Sequence, residues 1–267
     1  MDFQNKVVVI TGGSDGIGKA LVQLFLSKGA KVATCGRNAD RLYSLQQEFA
    51  GKALHTFVAD VSNEDDCNRF IETTVKAFGG IDVLINNAGL SMRALIIESE
   101  TSAYKRLMDV NFWGTVYTTK AALPFIIQRK GTIVGISSIV GNRGIPGRSA
   151  YSASKHAMQG WLESLRVEML DHEVNVLWVS PGFIATNIRS VALDGDGKPI
   201  GETPMDESKL MSAEECALHI YNSIAKRKRS VVLTITGKAT VWMGKLLPRV
   251  ADKYIHKFFF KDGKLIK

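Results

Sequence analysis

Apolar, β-branched runs alternate along this chain with segments whose apolar positions recur every three or four residues. Seven of these runs predict strands, at 7–11, 31–35, 54–59, 83–86, 132–137, 174–180 and 231–235. Their near-continuous hydrophobicity is typical of parallel strands that are covered on both faces. Helical patterns lie between them, for example at 19–28, 64–78 and 150–170. The alternation predicts an α/β fold, a Rossmann-like doubly wound parallel sheet of seven strands with helices on both faces.

The alternation breaks at 188–211, a polar stretch that contains two prolines and an Asp-Gly-Asp-Gly run. Such a stretch predicts a loop, and we expect it to act as a lid over the substrate. No internal repeat or second domain is evident. We therefore expect one catalytic domain over 1–237 and a separate C-terminal extension over 238–267.

Positive charge is concentrated toward the C-terminus of the chain. The chain has 267 residues and a formal net charge of +8, yet residues 226–267 alone hold 12 lysines and arginines and only two acids. The basic character therefore belongs to the tail. No stretch approaches 18 apolar residues, and strand-forming sequence begins at Lys6, so neither a spanning helix nor a signal peptide is expected. Three scattered cysteines suit a reducing cytoplasm, which is the expected location.

Within the tail, basic residues recur every fourth position and adjoin an apolar face, a pattern typical of an amphipathic helix that starts at Pro248. The basic stripe is Arg249, Lys253, Lys257 and Lys261, and the apolar face is Val250, Ala251, Tyr254, Ile255, Phe258 and Phe259. Two interpretations stay open: the apolar face packs on the domain or on a partner subunit, or residues 239–261 make a peripheral contact with an anionic membrane, at the inner membrane surface. Nucleic acid is not an expected partner.

Candidate chemistry begins with Tyr151 and Lys155, which stand four residues apart and so share one face of a predicted helix. A phenol has a pKa of about 10 and is a poor acid–base group at neutral pH. An ammonium group one turn away favours the phenolate and brings that pKa toward the working range. Either residue alone would be an ordinary core tyrosine or surface lysine. No cluster of histidine, cysteine or carboxylate residues has metal-ligand spacing, so no metal is expected.

A set of motifs in a fixed order accompanies this pair and covers residues 6–235. The motifs are Thr11-Gly12-x-x-x-Gly16-x-Gly18, Asp60-Val61, Asn86-Asn87-Ala88-Gly89, Asn111, Ser138, Tyr151-x-x-x-Lys155, Pro181-Gly182 and Thr186. In this order they resemble the single-domain type of short-chain dehydrogenase/reductase. The sequence around Ser138 and Tyr151 is most similar to the lipid- and steroid-handling group, namely dehydrogenase/reductase member 7 and, more loosely, 3-ketosphinganine reductase. Pairing of subunits through long helices in that family implies a homodimer or homotetramer.

The glycine spacing lets the backbone approach a pyrophosphate, which the N–H groups at the start of the following helix bind. Gly36 stands where NAD-preferring relatives carry aspartate, and Arg37 follows it, which predicts NADP(H) because a guanidinium suits the 2′-phosphate. Arg37 could instead be a solvated loop residue. With the residues that the resemblance adds, the expected cofactor-binding set is Thr11, Gly12, Ser14, Asp15, Gly16, Ile17, Gly18, Arg37, Asn38, Asp60, Val61, Asn87, Ala88, Gly89, Tyr151, Lys155, Pro181, Gly182, Ile184 and Thr186.

The resemblance implies four catalytic residues. Tyr151 would exchange a proton with the substrate oxygen, Lys155 would lower the pKa of Tyr151 and bond the nicotinamide ribose, and Ser138 would hold the substrate oxygen. Asn111 resembles the family residue that positions a water leading to Lys155. Ser137 is an alternative to Ser138.

The substrate pocket is expected beyond the carboxyl ends of the strands, under 188–211. Its expected lining is largely apolar and consists of Leu90, Met92, Ile139, Val140, Ile145 and Phe183. We therefore expect an NADP(H)-dependent carbonyl reductase or alcohol dehydrogenase that acts on a lipophilic ketone or alcohol. The alternative is a catalytically idle NADP-binding module. Enoyl reduction is disfavoured because enoyl reductases space the tyrosine and lysine differently. Sugar-nucleotide epimerases are disfavoured because they carry an added substrate domain, which is not evident in this chain.

Overall fold

The predicted doubly wound sheet is present. The computed structural model describes residues 2–203, 206 and 209–266. Within them, seven parallel strands form one sheet in the order β3-β2-β1-β4-β5-β6-β7, with helices on both faces. The strands are β1 Val7–Thr11, β2 Lys31–Gly36, β3 Leu54–Val58, β4 Val83–Asn86, β5 Thr132–Ile136, β6 Asn175–Ser180 and β7 Ser230–Val232.

Helices connect the strands and extend beyond the last one. They are α1 Gly16–Ser27, α2 Ala39–Glu48, α3 Glu64–Phe78, α4 Thr101–Met108, α5 Gly114–Gln128, α6 Ser149–Glu168, α7 Ala213–Ala225, α8 Ile235–Leu246 and α9 Pro248–Phe259. A short antiparallel pair, β8 Phe260–Lys261 and β9 Lys264–Leu265, follows α9. In the described part of the chain, no helix has the length and apolarity that a membrane crossing requires.

Alternate side chains of the strands enter two cores on opposite faces of the sheet. On β4, Val83 and Ile85 pack in the core formed with α1 and α7, whereas Leu84 packs in the core formed with α3, α5 and α6. Both faces are therefore apolar, which explains the continuous hydrophobic runs in the sequence.

The strand order reverses between β1, which continues to β2 and β3, and β4, which continues to β5, β6 and β7. Asp82 joins the two halves at the amino ends of these strands, because its carboxylate accepts hydrogen bonds from the Val7 amide at 2.9 Å and the Lys6 ammonium at 3.0 Å. At the opposite, carboxyl ends, the helices that follow β1 and β4 pack on opposite faces of the sheet, which leaves a crevice beyond Thr11 and Asn86. Ligands bind at this switch point in open α/β sheets.

The last strand differs from the prediction of 231–235. β7 is Ser230–Val232, and Ile235 already begins α8. The Thr234 hydroxyl caps this helix by accepting a hydrogen bond from the Gly237 amide at 3.0 Å. The apolar run therefore changes from strand to helix at the cap. Helix α8 also passes through residue 237, where the sequence predicted that the catalytic domain ends.

The segment between β6 and α7 is irregular over its described part. Main-chain hydrogen bonds attach it to the loop after β4, where the Leu193 amide donates to the Ser91 carbonyl and the Arg93 amide donates to the Leu193 carbonyl. The expected lid at 188–211 lies in this segment. Residues 204, 205, 207 and 208 of that expectation lie outside the described residues.

Candidate active site

A cavity of about 1120 Å³ opens at the carboxyl ends of the strands. It extends from the glycine turn after β1, past Tyr151 and Lys155 on α6, to α8 and α9. Most of its lining is apolar, and its polar groups come from the strand ends and α6. The predicted cofactor residues and the predicted catalytic tyrosine therefore share one site.

The turn after β1, residues 12–18, has the positive φ angles that its glycine spacing predicts. Gly12 and Gly16 have φ angles of 69° and 50°, a region that side chains rarely adopt. A Cβ atom at position 18 would lie 2.1 Å from the Gly12 carbonyl oxygen, so only glycine allows α1 to approach the turn this closely. The open N-terminus of α1 faces the cavity, where its dipole favours an anion.

Asp15 caps α1 at this position, because its side chain accepts a hydrogen bond from the Gly16 amide at 2.7 Å. The same carboxylate accepts a hydrogen bond from the Arg41 guanidinium at 2.9 Å. Arg41 lies in the first turn of α2 and lines the cavity beside Arg37. Sequence reasoning missed it, although a basic residue four positions after Arg37 was the available signal.

Thr11 lies behind the cavity wall and not in it. Its hydroxyl oxygen accepts hydrogen bonds from the Asn87 and Ala88 amides, both at 3.0 Å. The Asn87 side-chain amide in turn donates hydrogen bonds to the Thr11 and Gly12 carbonyl oxygens. These bonds fix the glycine turn against the end of β4, and the expected contact of Thr11 with the cofactor stays a prediction.

Tyr151 lies on the first turn of α6 beside Ser138, which follows β5. Burial raises the pKa of Tyr151, and a hydrogen bond from Ser138 and the charge of Arg148 act in the opposite direction. The alternative residue, Ser137, has a structural contact, since its hydroxyl oxygen accepts a hydrogen bond from the Gln159 amide group at 2.7 Å. The geometry thus favours Ser138 over Ser137 as the partner of Tyr151.

Lys155 is 2% exposed and its ammonium nitrogen lies 5.8 Å from the centre of the Tyr151 ring. It donates a hydrogen bond to the Ile136 carbonyl oxygen at 2.8 Å. Burial lowers the pKa of Lys155 to about 7. The expected effect of Lys155 on the pKa of Tyr151 stays a prediction. The charge of Arg148, at the start of the same helix, opposes the burial that raises the pKa of Tyr151.

Asn111 is fully buried in a π-helical turn, Asp109–Trp113, between α4 and α5. Its carbonyl oxygen accepts from the Leu90 amide at 2.8 Å, and its amide nitrogen donates to the Leu90 carbonyl and the Ser154 hydroxyl, both at 2.9 Å. Its side chain does not line the cavity. These bonds fix the loop after β4 next to α6, and a Cβ atom at Gly89 would approach both the Asn111 oxygen and the Lys155 nitrogen. The expected role of Asn111 in positioning a water that leads to Lys155 stays a prediction.

A sequence profile described as short chain dehydrogenase matches residues 6–196, more than half of the chain. The chain belongs to the short-chain dehydrogenase/reductase family. It is 39% identical to mouse dehydrogenase/reductase SDR family member 7B over 239 residues, which are 87% of this chain and 74% of the mouse protein. The resemblance to the dehydrogenase/reductase member 7 group is therefore confirmed.

Solved structures share the fold of this short-chain dehydrogenase/reductase. A family member from Burkholderia phymatum in complex with NAD has a TM-score of 0.84 at 23% identity and covers 94% of this chain and 96% of its own. An alcohol dehydrogenase from the archaeon Thermococcus sibiricus, complexed with 5-hydroxy-NADP, has a TM-score of 0.73 at 27% identity and covers 86% of this chain and 96% of its own. The family is one of oxidoreductases that use a nicotinamide cofactor.

The cavity of this short-chain dehydrogenase/reductase fits such a cofactor. A dinucleotide needs close backbone approach at its pyrophosphate, and the glycine turn gives it. The predicted cofactor residues that line the cavity are Gly12, Ser14, Asp15, Gly16, Ile17, Gly18, Arg37, Asn38, Asp60, Val61, Asn87, Ala88, Gly89, Tyr151, Lys155, Pro181, Gly182, Ile184 and Thr186. Of the predicted set, only Thr11 lies behind this wall.

The substrate end of the cavity differs from the prediction at one residue. Leu90, Ile139, Val140, Ile145 and Phe183 line it as expected, but Met92 is fully buried in a core cluster with Leu107 and Leu193. Sequence reasoning missed the wall formed by the C-terminal helices, which consists of Ala239, Thr240, Trp242, Met243, Leu247, Tyr254, Ile255, Phe258 and Phe259. The apolar face predicted for the tail was the signal, and part of it faces the cavity.

Proposed function

We propose that this protein is an NADP(H)-dependent oxidoreductase that transfers hydride between the nicotinamide and a ketone or secondary alcohol of lipophilic character. The observation that carries the proposal is the position of Tyr151. Its hydroxyl forms a hydrogen bond with Ser138, and both residues line the same cavity as the glycine turn. A pure binding module would need the turn but not this pair. The complete set of Asn111, Ser138, Tyr151 and Lys155 disfavours the idle alternative.

In the reductive direction, Tyr151 donates its phenolic proton to the substrate carbonyl oxygen, which becomes the hydroxyl of the alcohol. A bound nicotinamide supplies the hydride that reaches the carbonyl carbon. Burial keeps Tyr151 protonated at neutral pH because it raises the pKa of the phenol. Ser138 holds the same oxygen, and Lys155 would bond the nicotinamide ribose with its buried nitrogen. In the oxidative direction the phenolate of Tyr151 takes the alcohol proton.

The preference for NADP(H) is supported by the charges that surround Gly36. Arg37 and Arg41 line the cavity there, and neither Gly36 nor Asn38 brings a carboxylate. Asp60 approaches Arg37 only at 3.9 Å, and both side chains are more than one-third exposed, so this ion pair is weak and leaves Arg37 able to turn to a phosphate. A guanidinium binds the 2′-phosphate through charge-assisted hydrogen bonds.

A lipophilic substrate is supported by the wall of the cavity beyond Tyr151. Leucine, isoleucine, valine, phenylalanine and tryptophan side chains from five separate segments meet there. Burying apolar surface contributes about 25 cal/mol per Å², so a long alkyl chain or a fused ring system would gain much of its affinity here.

A homodimer or homotetramer is supported by exposed apolar side chains in the turn before α5 and at the end of α6. Trp113 is 42% exposed and stacks on Tyr117 at 5.7 Å, while Val167 and Leu170 on or just after α6 are 64% and 66% exposed. We expect these side chains to be covered when subunits pair through their long helices. Light scattering after gel filtration measures the mass directly, and a mass of one chain would rule out the oligomer.

The experiment for the proposed function is a fluorescence titration with NADPH and with NADH, followed by a panel of aliphatic, aromatic and steroid ketones monitored at the nicotinamide absorbance. We expect tighter binding of NADPH and its consumption with one ketone class. Tight binding without consumption of any ketone would favour the idle binding module. Preference for NADH would contradict the cofactor assignment.

A further inference from the structure

Helices α8 and α9 form a hairpin with an apolar ridge that faces solvent. On α8 the ridge contains Trp242 and Leu246, and on α9 it contains Val250 and Tyr254. These four side chains are between 54% and 61% exposed, and Leu247 between the helices is 49% exposed. The two residues on each helix are four positions apart, which places them along one side of that helix.

A different face attaches the hairpin to the domain. Ala251, Ile255 and Phe259 of α9 are buried, and Asp252 forms an ion pair with Arg143 of the domain. Helix α8 packs through Gly237, where a Cβ atom would overlap Ile139. The hairpin is thus held by residues other than those of the ridge, and this supports the interpretation that one apolar face packs on the domain. The ridge is a second apolar surface.

Basic side chains border the ridge. Lys238 and Lys245 of α8, with Arg249, Lys253 and Lys257 of α9, are all exposed. None of the five takes part in an ion pair within the described residues. The one acid of the hairpin, Asp252, is engaged by Arg143. The surface therefore combines aromatic and aliphatic groups with unneutralised positive charge.

The ridge also adjoins the mouth of the cavity. Trp242 and Tyr254 of the ridge, and Leu247 between the helices, are exposed and also line the cavity. The apolar surface of the ridge is therefore continuous with the lining of the cavity.

We propose that the α8–α9 hairpin docks on the surface of an anionic lipid bilayer, so that the apolar substrate enters the cavity directly from the membrane. This inference rests on the proposed function, since it concerns the supply of its substrate. The apolar ridge would enter the headgroup boundary while the lysines meet lipid phosphates, a combination typical of interfacial helices. Each basic side chain near an anionic bilayer strengthens binding, and five border this ridge.

The test is sedimentation of the full chain with two kinds of vesicle, one of phosphatidylcholine alone and one with roughly a third phosphatidylglycerol. The apolar variant is Leu246→Ser with Val250→Ser, and the charge variant is Lys245→Glu with Arg249→Glu. These four residues are exposed and do not line the cavity. We expect the intact chain to sediment with the anionic vesicles, and each variant to lose at least about tenfold in affinity.

Matched control variants lie near β3, the sheet edge opposite β7, and at the end of α1. Tyr43→Ser with Val58→Ser removes exposed apolar groups, and Lys28→Glu with Lys52→Glu reverses exposed charges. They should bind vesicles as the intact chain does. Equal losses in the control variants, or no sedimentation of the intact chain, would overturn the proposal. A mass in light scattering that falls on Leu246→Ser with Val250→Ser would also overturn it and identify the ridge as an interface between copies.

Different results would contradict the docking of the hairpin and the proposed oxidoreductase function. If the intact chain reduces a water-soluble ketone but binds no vesicle, the docking surface is wrong and the proposed function stands. If it binds anionic vesicles but reduces no ketone, the proposed function fails. The charge variant should reduce a water-soluble ketone at the rate of the intact chain, and a slower rate would show that the hairpin acts through the site and not through the membrane.

Discussion

The Arg148 guanidinium and the Tyr151 phenol lie one turn apart at the start of α6, and the charge of the arginine partly offsets the burial that raises the pKa of the tyrosine. Arg148 is 7% exposed and donates a hydrogen bond to the Ser91 hydroxyl at 2.7 Å. Burial lowers the pKa of Arg148 itself to about 10, so it remains charged at neutral pH. Arg148 is therefore a positioning residue with an electrostatic effect on the proton donor.

Replacing Arg148 with methionine should move the pH dependence of alcohol oxidation. Oxidation needs the phenolate of Tyr151, and removing the cation raises the pKa of that phenol. The rising limb of kcat/KM against pH should therefore shift to higher pH in Arg148→Met. The control is Ser91→Ala, which removes the hydrogen bond but keeps the charge, and its limb should stay in place. If the pH dependence of kcat/KM is unchanged in Arg148→Met, Arg148 does not affect the pKa of Tyr151.

Replacing Arg37 with aspartate should change the choice of cofactor. The substitution removes a cation that faces the expected 2′-phosphate and adds a carboxylate that repels it. We expect NADPH affinity to fall by about 100-fold, whereas NADH affinity changes by less than about threefold. Arg37→Gln should give an intermediate loss for NADPH. Equal losses for both nucleotides in a fluorescence titration would mean that Arg37 does not contact the 2′-phosphate.

Lys155 should make the stability of the chain depend on pH in the absence of nucleotide. Its pKa is about 7 in the folded chain and near 10.5 when unfolded, so between these values the unfolded state binds more protons. The free energy of unfolding contributed by this group therefore rises with pH across that window and is constant below it. Urea unfolding at pH 7 and 9.5 measures this, and Lys155→Met should show a smaller rise than the intact chain. Parallel changes in both proteins would contradict the buried state of the ammonium.

Thr11 should matter for stability more than its expected role suggests. Valine has nearly the same shape but leaves the Asn87 and Ala88 amides without their acceptor, at a cost of about 1–3 kcal/mol for each unpaired group. Thr11→Val should therefore lower the free energy of unfolding, and Thr11→Ser, which keeps the hydroxyl, should lower it much less. Denaturant unfolding compares the two variants. Equal losses would assign the effect to packing.

The periodicity of the chain predicted the sheet because each strand is covered on both faces, so its hydrophobicity is continuous and its ends are sharp. The predicted end of the last strand at residue 235 was wrong, because an apolar run does not reveal that the Thr234 hydroxyl caps a helix. The ordered motifs predicted which residues gather at the switch point. They could not predict that Thr11 and Asn111 turn away from the cavity, since those side chains bond to backbone groups that are distant in sequence.

The role of Arg148 and the wall made by α8 and α9 were also beyond sequence reasoning. Arg148 precedes the tyrosine by three residues, but a basic residue in such a position is usually solvated, and only burial against Ser91 makes it electrostatically important. The apolar positions of the tail showed that an amphipathic helix forms. They could not show that α9 divides its apolar residues between the core, the cavity and the exposed ridge.

The proposed reaction depends on the proton that Tyr151 donates, and Tyr151→Phe removes that proton. The substitution removes one hydroxyl and keeps the ring that packs in the site. NADPH affinity should stay within about twofold, whereas kcat for ketone reduction should fall by about 100-fold to 10,000-fold, the usual contribution of a general acid. A kcat within about tenfold of that of the intact chain, with NADPH still bound, would remove Tyr151 from the mechanism.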